Sequence, residues 1–214
     1  MFVPVRLMSF ITNFADQAVM IPMVFAVAVG LYFAGWRRGA LVWSGAIACT
    51  WGVMLLLKLA CLACGHLVMD GLLSPSGHTA AAATAYGGIC GLLVRRSGGD
   101  WRWTVPISAG FAAVVGLSRL VLHAHTPLEV MVAGTVGVLG ATVLVALAGA
   151  PPSRVRLWPV IGAMAAVVLL LHGFRLPAEA MIRHFALLGV WPLSACQQAG
   201  ANGLASIRVL IGLG

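Results

Sequence analysis

Six long apolar stretches alternate with short polar breaks along this chain. They fall near residues 18–36, 39–62, 78–94, 103–123, 127–149 and 157–174. A bilayer core takes about 20 predominantly apolar residues as a helix, and most of these runs reach that length. None shows the strict two-residue alternation of a half-buried strand. The pattern predicts an all-α fold, a polytopic helical bundle with about six membrane-crossing helices. The breaks are legible. GWRRGA follows the first stretch, RRSGGDWR the third and APPSRVR the fifth.

Composition supports that reading. Of 214 residues, 61% are hydrophobic and 8% charged, against about half and about a quarter in soluble domains. The net charge is +8, but no basic run with interleaved aromatics exists, so nucleic acid is not an expected partner. The excess instead orients the chain. Arg37, Arg38, Arg95, Arg96, Arg102, Arg154 and Arg156 lie in the three breaks just quoted, and they are seven of the thirteen basic residues. Lys and Arg concentrate on the cytoplasmic side of membrane proteins, so the other ends of the helices, and both termini, are expected to face outward.

Residues 1–17 mix apolar side chains with Arg6, Asn13 and Asp16, as an interfacial helix would. The tail, 175–214, carries an amphipathic piece with Glu179 and Arg183 four apart. No removable signal peptide, internal repeat or second domain is expected, so 1–214 reads as one membrane-embedded unit. The five cysteines include one C-x-x-C, Cys61 and Cys64, without the further ligands a zinc site needs. They read as small packing residues, and no metal is expected.

Polar chemistry collects at the outward ends of the second to fifth stretches. Lys58 is near the end of the second. Ser76, Gly77 and His78 open the third. Ser118 and Arg119 come late in the fourth, and His125 and Glu129 straddle the start of the fifth. A charge at bilayer depth costs about 2.5–3.5 kcal/mol on insertion scales, so such residues are functional candidates. Each also has a plain structural reading. Lys58 can snorkel, and Ser118 can pack helices. PSGH can be a helix start with Ser74 or Ser76 as cap and Pro75 near the first turn. TPLE, Thr126–Glu129, can be a capping box. Together they outweigh these readings. Two cations, two histidines, a carboxylate and two helix N-termini share one side of the membrane. Backbone donors with Lys and Arg make an anion site, and histidines beside it suit phosphoryl transfer.

The arrangement resembles the type 2 phosphatidic acid phosphatase (PAP2) superfamily, whose signature reads K-x6-R-P, then P-S-G-H, then S-R-x5-H-x3-D. Pro75–His78 is an intact P-S-G-H, and Ser118, Arg119, His125 and Glu129 follow the third part. Two positions depart from it. Gly65 and His66 stand where Arg-Pro is usual, and Glu129 replaces Asp. The resemblance implies a metal- and cofactor-independent phosphatase with a PAP2-like helical core. It assigns His125 as nucleophile, Glu129 as its orienting carboxylate, and His78 as proton donor to the leaving oxygen. Lys58, Ser76, Gly77, Arg119 and Ser118 would hold phosphate, with His66, Arg175 or Arg183 standing in for the missing arginine. His123 is a rival nucleophile with the wrong spacing from Arg119.

The implied partners are membrane lipids and a lipid phosphate or isoprenoid pyrophosphate substrate. The implied activity is hydrolysis at the outer face. Two alternatives stand beside it: a lipid-to-lipid phosphotransferase using the same intermediate, and a degenerate member that only binds anionic lipid. Scarce lysine with abundant Ala, Gly and Arg suggests a GC-rich bacterial source, hence an inner membrane with the site facing the periplasm.

Overall fold

The computed structural model describes residues 2–64, 74–177, 181–182 and 184. Helix α1 (Phe2–Asn13) leads through a three-residue break into α2 (Gln17–Phe33), which Asp16 caps by accepting the Ala18 N–H at 2.9 Å. There follow α3 (Arg37–Cys64), α4 (Gly77–Arg96), α5 (Thr104–Val121), α6 (Pro127–Ala148) and α7 (Trp158–Leu171), with a short 3-10 turn, Trp101–Trp103, before α5. Each of the six apolar stretches is one of these helices, and no strand occurs among the described residues.

Four helical stretches are long and apolar enough to cross a membrane: Val5–Phe33, Arg37–Cys61, Trp101–Val121 and Pro127–Ala148. Helix α7 is shorter than its apolar stretch suggested. Its 14 residues rise about 21 Å, short of the roughly 30 Å hydrocarbon core. Helix α4 departs for a different reason. It is rich in Ala, Gly and Thr, and every residue from Thr79 to Leu92 except Cys90 is buried. It packs mainly on α5 and α6. A central helix never meets lipid, so small side chains that let neighbours approach serve it better than bulk.

The outer helices carry the opposite pattern. Phe25, Leu41, Met131 and Leu169 are exposed. On an integral membrane protein, lipid covers such side chains. Inside, Trp43, Met20, Met23, Leu31 and Leu144 are fully buried, and the Trp43 indole donates to the Val24 carbonyl at 3.0 Å.

Gly137 marks the tightest approach of α6 to α4. A Cβ there would lie 2.7 Å from the Ala80 carbonyl oxygen and 2.9 Å from Ala80 Cα. Backbone cannot step aside as a side-chain tip can. Gly137→Ala is therefore expected to cost about 1–3 kcal/mol, the usual range for overpacking. Thermal unfolding in detergent checks it, and an unchanged midpoint would refute the close packing.

The helices run alternately, so their ends sort into two groups. The breaks at 34–36, 97–103 and 149–157 share one end. There Arg38 donates to the Leu147 carbonyl at 2.8 Å, and Arg96 to Pro152 at 3.0 Å and Ser153 at 2.7 Å. Arginines at this end thus tie off carbonyls around the C-terminus of α6, where positive charge is favoured. The opposite end gathers 12–16, 74–78, 119–129 and 172–177.

Candidate active site

Two segments of the site end, 74–78 and 119–129, are built by their caps. Ser76 caps α4, its Oγ accepting from the Thr79 N–H at 3.5 Å and the Thr79 hydroxyl at 2.9 Å. Gly77 is thus the first helical residue, and Pro75 lies just before the cap rather than inside the first turn. Thr126 caps α6 as expected. Its Oγ1 accepts the Glu129 N–H at 3.3 Å while Glu129 Oε2 accepts the Thr126 N–H at 3.0 Å, a complete capping box with Pro127 in the first turn.

Glu129 does more than cap. It is 4% exposed. Its Oε1 accepts the Ser74 N–H at 2.7 Å, and its Oε2 lies 3.0 Å from His125 Nδ1. Its own carbonyl accepts the Ser76 N–H at 3.3 Å. One carboxylate therefore fixes the imidazole and joins the start of α4 to the start of α6. A carboxylate already accepting two N–H groups acts as an acceptor toward His125 as well. The proton then sits on Nδ1, and Nε2 keeps a free lone pair.

The His125 side chain is only 8% exposed. Burial, with Arg119 and Lys58 nearby, holds its pKa below the ordinary histidine value of 6.5, against the opposing pull of Glu129. The lowering favours the neutral ring, the form a nucleophile needs.

Lys58, 5% exposed, arrives from the end of α3 and donates to Ser74 Oγ at 2.9 Å. Arg119, in the last turn of α5, donates to Thr12 Oγ1 at 3.3 Å. Both cations line a cavity of about 460 Å³ together with Gln17, Ser74, Gly77, His78, His123, His125 and Glu129, and with Leu176, Pro177 and Ile182 of the tail. The N-terminus of α4, at Gly77 and His78, and two cations face it, which suits a phosphate. Among the described residues no group of three His, Cys, Asp or Glu side chains is disposed to hold a metal ion.

The candidates divide as follows. His78, His125, Glu129, Lys58, Gly77 and Arg119 line one cavity. Ser76 and Ser118 are fully buried outside its lining. Ser76 is occupied by its cap, and Ser118 donates to the Val115 carbonyl at 2.6 Å. Ser74 stands at the wall instead. His66 and Arg183 lie outside the described residues. Arg175 donates to Asn13 Oδ1 at 3.1 Å and is not part of the cavity wall.

His123 has a structural occupation. It sits at φ +51° just past α5. The Ala124 N–H reaches back to the Arg119 carbonyl at 3.0 Å, and the His123 N–H to Leu120 at 2.9 Å. This is a Schellman ending with histidine at the left-handed position where glycine is usual. It turns the chain so that His125 faces inward.

Asp16 and Gln17 join the site unforeseen. Asp16 Oδ2 lies 3.6 Å from His78 Nε2. The available signal was scarcity: Asp16 is one of only five acidic residues in a strongly apolar chain.

Comparison with known proteins adds one finding. Residues 64–151 match the model of the PAP2 superfamily, the stretch that holds His78, Arg119, His125 and Glu129. No curated protein and no solved structure matches the chain. Family match, motif order and helical architecture agree: this integral membrane protein carries, over residues 64–151, a segment similar to the PAP2 superfamily, whose members are generally phosphatases.

Proposed function

We infer that this protein hydrolyses the phosphate ester or pyrophosphate of a lipid through a phosphohistidine. The observation that carries the reading is one cavity that holds the His125–Glu129 pair, Lys58, Arg119 and His78 and shares its wall with an apolar groove. The groove, about 290 Å³, runs between α2, α3 and α4 past Met20, Ile21, Trp51, Met54, Leu55 and Ala81. It has Gln17, Lys58, Gly77 and Ile182 in common with the polar cavity. A head group in the one and a hydrocarbon chain in the other is how a single lipid would lie.

Chemically, the His125 Nε2 lone pair attacks phosphorus in line with the leaving oxygen. Glu129 stabilises the imidazolium that forms, as a triad carboxylate does. Lys58, Arg119 and the Gly77 N–H at the α4 terminus face the charge that builds on the equatorial oxygens. His78 gives its proton to the leaving oxygen, which departs as the lipid alcohol or phosphate. Water then attacks the phosphohistidine, His78 takes the water proton, and His125 is released. The Gln17 amide, on the wall beside Gly77, offers a neutral donor where the family has a third cation. The seven arginines at the far end support a site on the outer face, for a bacterial inner membrane the periplasmic one.

Purified protein should release phosphate from members of a panel of phosphatidic acid, phosphatidylglycerol phosphate, isoprenoid pyrophosphate and lipid A. Short-chain, water-soluble analogues should react less efficiently. Ile21→Trp at the groove should raise KM for long chains and leave the short-chain analogue unaffected. Equal efficiency on both chain lengths would exclude the groove as a lipid site. Adding lipid acceptors during the assay separates hydrolysis from phosphotransfer.

A further inference from the structure

The second histidine has a carboxylate partner that neither the motifs nor the family match includes. Asp16 precedes the matched segment by almost fifty positions. Its side chain is 8% exposed and that of His78 19%, with Oδ2 and Nε2 3.6 Å apart. The other oxygen, Oδ1, accepts the Ala18 N–H at 2.9 Å and the Leu176 N–H at 3.0 Å. The carboxylate therefore divides its work: one oxygen holds backbone, and the other faces the ring.

The turn that presents it is anchored from several sides. Tyr86 of α4 donates to the Phe14 carbonyl at 2.7 Å, Arg119 donates to Thr12 at 3.3 Å, and Arg175 to Asn13 at 3.1 Å. An acid buried by that much structure, in a chain with so few acids, is placed rather than incidental. It also answers an electrostatic problem. His78 shares its cavity with Lys58 and Arg119, and two cations disfavour the imidazolium that a proton donor must be. A carboxylate beside the ring favours it.

We propose that Asp16 is the positioning residue for His78, holding Nε2 so that Nδ1 faces the leaving oxygen with its proton. The inference rests on the phosphatase reading above. In the transfer step His78 enters as imidazolium, the Nδ1 proton passes to the leaving oxygen as the P–O bond breaks, and the neutral ring stays on Asp16. That neutral ring is then ready to take the proton of the attacking water. The 3.6 Å separation is an ion-pair contact, and catalytic contacts of this kind commonly tighten once substrate is bound.

The test is Asp16→Asn in the full-length protein. Asparagine keeps an oxygen for the Ala18 and Leu176 N–H groups and removes only the charge facing His78. Two substrates are compared in single turnover: an alkyl phosphate, whose leaving oxygen needs a proton, and a nitrophenyl phosphate, whose leaving oxygen does not. General acid catalysis contributes about 10²–10⁴-fold. The alkyl rate should therefore fall about 10²-fold with KM little changed, while the nitrophenyl rate stays nearly level. Asp16→Glu should recover part of the alkyl rate, and His78→Ala should show the same leaving-group pattern as Asp16→Asn. Equal losses on both substrates, or none, would overturn the proposal. A second readout is independent of turnover: the ¹⁵N signals of the His78 ring should move in Asp16→Asn while those of His125 do not. An unmoved His78 ring would overturn the pairing itself. If wild type releases no phosphate and matches His125→Ala, the phosphatase reading fails and the proton-transfer role with it, while the ring signals still report the pair.

Discussion

His125→Ala is expected to reduce phosphate release by about 10⁴-fold or more, because in the proposed mechanism it removes the atom that bonds to phosphorus rather than one that assists it. His123 lines the same cavity, but its backbone is committed to the left-handed turn that ends α5. The informative control is His123→Asn, since asparagine accepts that conformation with little strain. It should leave turnover roughly at the wild-type level. Quenching a reaction with labelled substrate and locating the acid-labile phosphate on the peptide containing residue 125 gives the direct check. Substantial turnover in His125→Ala, or label on His123, would remove His125 from the nucleophile role.

The next largest effect is expected from Glu129→Gln. Glu129 meets three donors, the Ser74 and Thr126 N–H groups and His125 Nδ1. Glutamine brings an NH₂ into a set of partners that only donate. At least one buried donor then loses its acceptor, which costs about 1–3 kcal/mol. The imidazole loses its orienting charge, and turnover should fall about 10³–10⁴-fold, as when a triad carboxylate is neutralised. Glu129→Asp should retain more activity, because it keeps the charge and loses only reach. The pH dependence has a definite sign. Burial and the neighbouring cations lower the His125 pKa, and Glu129 raises it. In wild type the ring should therefore titrate below pH 6.5 and stay a competent nucleophile through neutral pH. In Glu129→Gln the lowering causes remain and the raising one is gone, so the midpoint should move lower still. An NMR titration of His125 checks this, and a midpoint that rises on losing the carboxylate would contradict the arrangement.

Local structure around the site was legible where neighbours in sequence are neighbours in space. TPLE is a capping box because Thr126 and Glu129 are one helical turn apart, and His125–Glu129 is an i,i+4 pair for the same reason. PSGH caps α4 through Ser76, one of the two serines expected there, while Pro75 lies before the cap instead of in the first turn. Reading by motif assigned Ser76 and Ser118 to phosphate, whereas the fold buries both away from the cavity and puts Ser74 at its wall. A motif records which residues recur, not which way each side chain turns. The three arginine-bearing breaks also follow from sequence alone, because charge and apolar length are properties of each segment taken singly.

What sequence by itself determined is therefore the all-helical class, where the apolar helices fall, and the chemistry gathered at one set of their ends. Those depend on composition and on contacts within a turn or two. What only the tertiary structure decided is which distant groups meet. Asp16 lies 62 positions before His78 and Glu129 55 after Ser74, separations no periodicity can reveal. The small residues of α4 let α5 and α6 pack close around it, and the start of α2 and the C-terminal part of α3 meet them at one cavity. A carboxylate that looked like the polar edge of an N-terminal helix becomes, through that packing, the partner of a half-buried histidine.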